Sequence, residues 1–126
     1  MKITSFEPQI ITNNPEQVEE VFKALGFEKK HTKSDFTGKK ITGVVMEDKD
    51  GHRVDYSVPE IEVPQDMTVI RINVRDFDEA YKLLLSFGFK NFYGENELSA
   101  ASSKSAVMFS PSGFAINLAE HFKKDE

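Results

Sequence analysis

The chain contains no cysteine, which removes disulfides, thiolate-bound zinc, iron–sulfur clusters and cysteine nucleophiles in one step. It also lacks a long hydrophobic run. No stretch approaches the ~18 consecutive apolar residues of a membrane span. The first residues, Met1-Lys2-Ile3-Thr4-Ser5-Phe6-Glu7-Pro8, have no apolar segment of the secretory kind. These absences make a cytoplasmic protein with no membrane partner the expectation. Basic blocks are missing as well. Acidic residues number 21 and basic ones 16, a net charge of −5, and no Lys/Arg run is long enough to track a phosphate backbone. Nucleic acid is therefore not the expected partner. A glycine-rich phosphate loop, a His-Glu-x-x-His pair, a Gly-x-Ser-x-Gly elbow and kinase signatures are all absent.

What the sequence does contain is a repeat. Gly26-Phe27 recurs as Gly88-Phe89, Val45-Met46 as Val107-Met108, Gly51 as Gly113 and Ile10 as Ile72, all 62 residues apart without a gap. Near-matches hold the same register: Val54 with Ile116, Tyr56 with Leu118, Asp55 with Asn117, Leu25 with Phe87. Coincidences that fall on glycines and core-type residues indicate one supersecondary unit used twice. In a chain of 126 residues this predicts a single domain of two modules. The first spans 1–58, a linker carrying Pro59 and Pro64 spans 59–66, the second module spans 67–120, and 121–126 form a tail.

Each module reads as strand, helix, three strands. Residues 2–12 and 67–74 are strand-like, and the second sets Ile70, Ile72 and Val74 on one face against Val69, Arg71 and Asn73 on the other. Asn14-Pro15, and Asp76 followed three residues later by Glu79, are helix starts. Val18, Val21, Phe22 and Leu25 predict one apolar stripe, and Ala80, Leu83, Leu84 and Phe87 repeat it. Gly26 and Gly88 then close the helices. Further strands are expected near 27–33, 40–47 and 52–58, and near 89–94, 105–109 and 113–119. One copy alone is too small to bury much apolar area. The fold class is therefore α+β: two tandem βαβββ modules forming a curved mixed sheet with a concave cup, and helices on the convex side. Such a cup is a natural small-molecule site.

The polar residues expected to face that cup are Glu7, Gln9, Asp55, Arg71, Asn73 and Asn117, read from strand alternation and the 62-residue offset. Burying such groups unpaired costs about 1–3 kcal/mol each. Either the set satisfies itself, with Arg71 against Asp55 or Glu7, or it binds a small polar or anionic ligand. An arginine on a central strand is expensive to keep for packing alone, which tips the balance towards a ligand. Phe36, Phe92 and Tyr93 are candidate apolar walls. Asp48-Lys49-Asp50-Gly51 fails as a calcium loop, since Met46 and Ser57 fall at its terminal ligand positions. It reads as a turn. His31, His52 and His121 match no ligand spacing and read as surface residues. His31 is the least secure of the three, because its repeat partner is Tyr93.

Ala24-Leu25-Gly26-Phe27 closes the first helix and Val74-Arg75-Asp76-Phe77-Asp78-Glu79-Ala80 opens the second. Ser110-Pro111-Ser112-Gly113-Phe114-Ala115-Ile116-Asn117-Leu118 ends the repeat. With these segments the chain resembles the vicinal oxygen chelate superfamily, which includes glyoxalase I, extradiol dioxygenases, and fosfomycin- and bleomycin-resistance proteins, over about residues 2–120. The resemblance implies metal ligands in the first and last strand of each copy, here Glu7, Asp55, Val69 and Asn117. Valine cannot ligate and asparagine offers a weak neutral oxygen, so no metal and no cofactor are expected. The resemblance then implies a metal-free protein binding a small molecule in the manner of the bleomycin-binding branch, more a binder than an enzyme. The alternative is a divalent-metal lyase, isomerase or dioxygenase of the same superfamily. The edges of the sheet make a homodimer plausible.

Overall fold

The computed structural model describes residues 1–34, 41–59, 62–92, 98–100 and 103–121. The elements run β1 (Ile3–Ile11), α1 (Pro15–Ala24), β2 (Glu28–Ser34), β3 (Ile41–Glu47), β4 (Arg53–Ser57), β5 (Met67–Val74), α2 (Phe77–Ser86), β6 (Lys90–Asn91), β7 (Leu98–Ala100), β8 (Ser103–Phe109) and β9 (Ala115–His121). This is the α+β arrangement of two βαβββ modules, with the short β7 added to the second. The chain divides into two compact units: Glu7–Thr68, and Met1–Phe6 together with the chain from Val69 onward.

In the first unit the strands lie in the order β2-β3-β4-β1. Both β2–β3 and β3–β4 are antiparallel, and β4–β1 is parallel. A parallel pair cannot be joined by a hairpin, and the chain between β1 and β4 includes α1. The helix packs Val18 on a core of Val44, Met46, Val54 and Tyr56, flanked by Ile10, Phe22 and Phe27. Asn13 secures the stretch before β5, donating from Nδ2 to the Val63 carbonyl at 2.7 Å and accepting from Val63 N at 3.2 Å.

The second unit repeats the plan. β5 pairs in parallel with β9, β9 is antiparallel to β8, and β8 is antiparallel to both β6 and β7. Its core is Val74, Phe77, Ala80, Ala106, Met108, Ile116 and Leu118, with Ile72, Tyr81, Leu84 and Phe89 against it. The repeat extends to strand register. Ile10 opposes Tyr56 as Ile72 opposes Leu118, Met46 opposes Val54 as Met108 opposes Ile116, and Val45 opposes Asp55 as Val107 opposes Asn117.

The helix stripes need correction. Val18 and Phe22, and their counterparts Ala80 and Leu84, turn inward as expected. Val21, Leu25, Leu83 and Phe87 are exposed, Leu25 to 66% and Phe87 to 68%. A ten-residue helix lying on a sheet buries only the arc that touches it, and these four residues fall outside that arc. The helix ends behave as read. Asp76 accepts from Glu79 N at 3.1 Å, and Gly26 and Gly88 follow the C-caps at φ of 106° and 89°. Asn14 makes no side-chain cap bond; instead Thr12 Oγ1 accepts from Asn14 N at 2.8 Å. His121 ends β9, and residues 122–126 lie outside the described residues. Among the described residues, no helix is long and apolar enough to cross a membrane.

Candidate functional site

Alternation along the strands sorts each sheet into a helix face and a helix-free face. In the first unit Val44, Met46, Val54 and Tyr56 meet the helix, so Val45 and Asp55 point away. Gln9 pairs with Asp55, which pairs with Val45, which pairs with His31. These four residues therefore form one transverse row across β1, β4, β3 and β2. Glu7, two residues before Gln9, shares that face. Glu7, Gln9 and Asp55 are all buried, Asp55 to 1% exposure, and each is engaged in an interaction.

The second unit carries the matching row. Arg71 pairs with Asn117 and Asn117 with Val107, while Ile72, Ile116 and Leu118 go to the helix. Arg71 and Asn73 are buried and Asn117 is half-buried. Arg71 and Asn117 have interaction partners. Among the described residues Asn73 Oδ1 is a buried acceptor with no hydrogen-bond partner, which is rare enough in folded proteins to need a reason. Phe92 donates its backbone N–H to the Val107 carbonyl at 2.7 Å. Its ring meets Phe109 edge to face at 5.3 Å, and Phe109 shares the parity of Val107. The Arg71–Asn117–Val107 row thus ends on an aromatic pair. Phe36 and Tyr93, the other candidate walls, lie outside the described residues.

The structure therefore brings Gln9 and Asp55 together with Glu7 beside them, and Arg71 and Asn117 together with Asn73 beside them, each trio within its own unit. His31 was read from sequence as a surface residue. It is exposed, yet it shares the row of Asp55 and Gln9. A register shift between Lys29 and His31 sends Lys29 to the helix side, where it meets Glu19 at 3.3 Å, and His31 to the other. The one available hint was its correspondence with Tyr93.

Among the described residues, three His, Asp or Glu donors gather within 4.8 Å at Asp48, Asp50 and His52, on the β3–β4 turn. Those atoms serve the turn. Asp48 Oδ1 accepts from Asp50 N at 3.0 Å and His52 N at 2.8 Å, and Oδ2 lies 2.9 Å from His52 Nδ1. That side-chain bond raises the His52 pKa and lowers the Asp48 pKa from their ordinary values. At the positions where the resemblance puts metal ligands, Glu7 and Asp55 supply carboxylates, Asn117 an amide and Val69 nothing. A catalytic divalent ion takes about three protein ligands and an open position, and only two of these four positions, Glu7 and Asp55, carry ordinary metal-binding side chains.

No family model and no curated protein matches the sequence. Solved structures do match in shape. Methylmalonyl-CoA epimerase from Mycobacterium tuberculosis superposes with a TM-score of 0.65 at 16% identity, over 97% of this chain and 91% of that one. A second methylmalonyl-CoA epimerase gives 0.63 at 13%, over 98% and 99%. A glyoxalase/bleomycin resistance protein/dioxygenase superfamily member from Vibrio splendidus gives 0.59 at 15%, over 94% and 98%. The chain has the vicinal oxygen chelate fold. At 13–16% identity this likeness shows the fold alone, and the chemistry has to be argued from the side chains.

Proposed function

We propose that the protein binds a small polar or anionic molecule without a resident metal, on the helix-free face of the second unit. The observation that carries this reading is the row Arg71–Asn117–Val107 ending on Phe92 and Phe109. A guanidinium presents a rigid fork of donors suited to carboxylate or phosphate, Asn117 adds an amide, and the aromatic pair offers an apolar wall. Few polar groups on a mostly apolar lining is the usual make-up of a ligand site. The buried Asn73 Oδ1 is an acceptor suited to a ligand's donor hydrogen.

The test is thermal shift of the purified protein against bleomycin, acyl-CoA thioesters and small carboxylic and phosphorylated metabolites, repeated with Arg71→Met. The expected result is a saturable rise in Tm with at least one compound that Arg71→Met abolishes. No rise with any compound, or a rise that Arg71→Met leaves intact, removes the basis of the reading.

A second reading, a divalent-metal lyase or isomerase, is favoured by the two buried carboxylates Glu7 and Asp55 on adjacent strands and by the methylmalonyl-CoA epimerases among the structural neighbours. Elemental analysis after dialysis decides between them. Stoichiometric Ni, Zn, Mn, Co or Fe, lost on Glu7→Gln, would replace the binding reading with the enzymatic one.

A further inference from the structure

The first unit carries its own cation on the helix-free face. Lys33 pairs with Gly43 and Gly43 with Ser57, the transverse row next to that of Asp55. A methyl group placed on Gly43 would lie 3.7 Å from Lys33 Cδ, 3.7 Å from Ser57 Cβ and 3.1 Å from the Tyr56 carbonyl oxygen. The Lys33 stem therefore runs alongside Gly43 on β3, close enough that a side chain there would touch its methylenes at ordinary contact distance. Lys29, Lys30 and His31 on the same strand are exposed, whereas Lys33 is half-buried. The register shift turns His31 to this face, where it stands two residues before Lys33 on β2. Asp55, in the adjacent row, is covered to 1% exposure, so the charge an approaching ligand meets first is the lysine. Lys33 is already engaged within the protein, and an incoming group shares or displaces that partner.

We propose that Lys33, running alongside Gly43 near Ser57 and His31, is an oxyanion-binding subsite of the first unit, taking a carboxylate or a phosphate group. Lysine serves as a mobile point charge for such groups, Ser57 can supply a hydroxyl donor, and His31 can supply an N–H. The subsite uses residues of the first unit only, so it stands or falls apart from Arg71.

The experiment is an amide chemical-shift titration of the full-length 15N-labelled chain at constant ionic strength, with acetate in one arm and inorganic phosphate in the other. Saturable shifts centred on Lys33, Gly43 and Ser57 are expected in at least one arm. The arm that responds gives the class of anion, and a response in both gives a general oxyanion subsite. Lys33→Met, which keeps the stem and removes the charge, should weaken binding about tenfold, the scale of one charge-assisted contact. Lys30→Ala should leave it unchanged. Shifts in neither arm, shifts untouched by Lys33→Met, or shifts centred on Arg71 and lost on Arg71→Met would overturn the proposal. The last of these outcomes leaves the second-unit reading standing.

Discussion

Tyr56 donates a 2.5 Å hydrogen bond to Glu19 Oε1 at the two positions where the other copy of the repeat places Leu118 and Tyr81 in an apolar core. The carboxylate also meets Lys23 at 2.9 Å and Lys29 at 3.3 Å. At this pair of positions one unit uses a charged, partly covered hydrogen bond and the other packing. The second unit's polar ties between helix and sheet lie elsewhere, from Phe77 N to Glu120 Oε1 and from Lys104 to Asp78. The Tyr56 hydroxyl, followed by the lysines, overcomes the cost of burial and holds the Glu19 pKa at about 2. Burial, then the bond to Glu19, pushes the Tyr56 pKa above its usual value.

Tyr56→Phe should therefore cost about 1–2 kcal/mol at pH 7, the range of a hydrogen bond to a charged group. Because the Glu19 pKa is depressed on folding, its contribution is complete above the unfolded value of 4.5 and is lost as pH falls towards about 2. The Tyr56 pKa is raised, so its contribution is complete below 10 and declines as pH rises further. Urea unfolding at pH 7 and pH 3 checks both parts. The gap between wild type and Tyr56→Phe should be narrower at pH 3, and an equal gap at the two pH values would contradict the assignment.

Met46 and Met108 occupy the same place in the two cores and are both fully buried. Truncating either to alanine should lower stability by about 2–5 kcal/mol. Chemical denaturation of the two variants should give comparable losses. A loss under about 1 kcal/mol at one of them would mean that its surroundings collapse to fill the space.

Gly26 and Gly88 both sit at positive φ after a helix, but their surroundings differ. A Cβ on Gly26 meets nothing within 4 Å, whereas on Gly88 it would stand 3.0 Å from Pro111 Cγ. Gly26→Ala should cost about 1–2 kcal/mol from backbone strain alone. Gly88→Ala should cost measurably more, as judged by the midpoints of urea unfolding.

The two helix starts offer a contrast of the same kind. Asp76→Ala removes a cap bond and should cost about 1 kcal/mol. Asn14→Ala should change stability by only a few tenths, because Asn14 makes no side-chain cap bond. Thr12→Val, which strips the acceptor from Asn14 N, should cost about 1 kcal/mol instead. Denaturation midpoints that rank Asn14 above Thr12 would refute this division of labour.

The repeat was legible because it is ungapped, so a constant offset of 62 residues carried core positions, turn glycines and facing directions from one copy to the other. Alternation along a strand was enough to put Arg71, Asn73, Asp55 and Asn117 away from the helices. Helical periodicity named the apolar positions but not how many of them a neighbour would cover, so Val21, Leu25, Leu83 and Phe87 were expected inside. The bulge at Lys30 follows no residue rule, and with it went the placement of His31. The Glu19–Tyr56 bond joins residues 37 apart in sequence, and nothing local announces it.

The boundary between the two units falls inside β1, after Phe6, and Arg75 N donates to the Lys2 carbonyl at 3.0 Å. Expressing residues 67–126 as a fragment would therefore omit six residues that belong to the same compact unit, though they are more than sixty positions away in the sequence. An autonomous half would need that hexapeptide restored, either spliced ahead of Met67 or added in trans. A permuted chain that begins near Met67 and returns through Met1 would separate the six residues from neither of the segments they join.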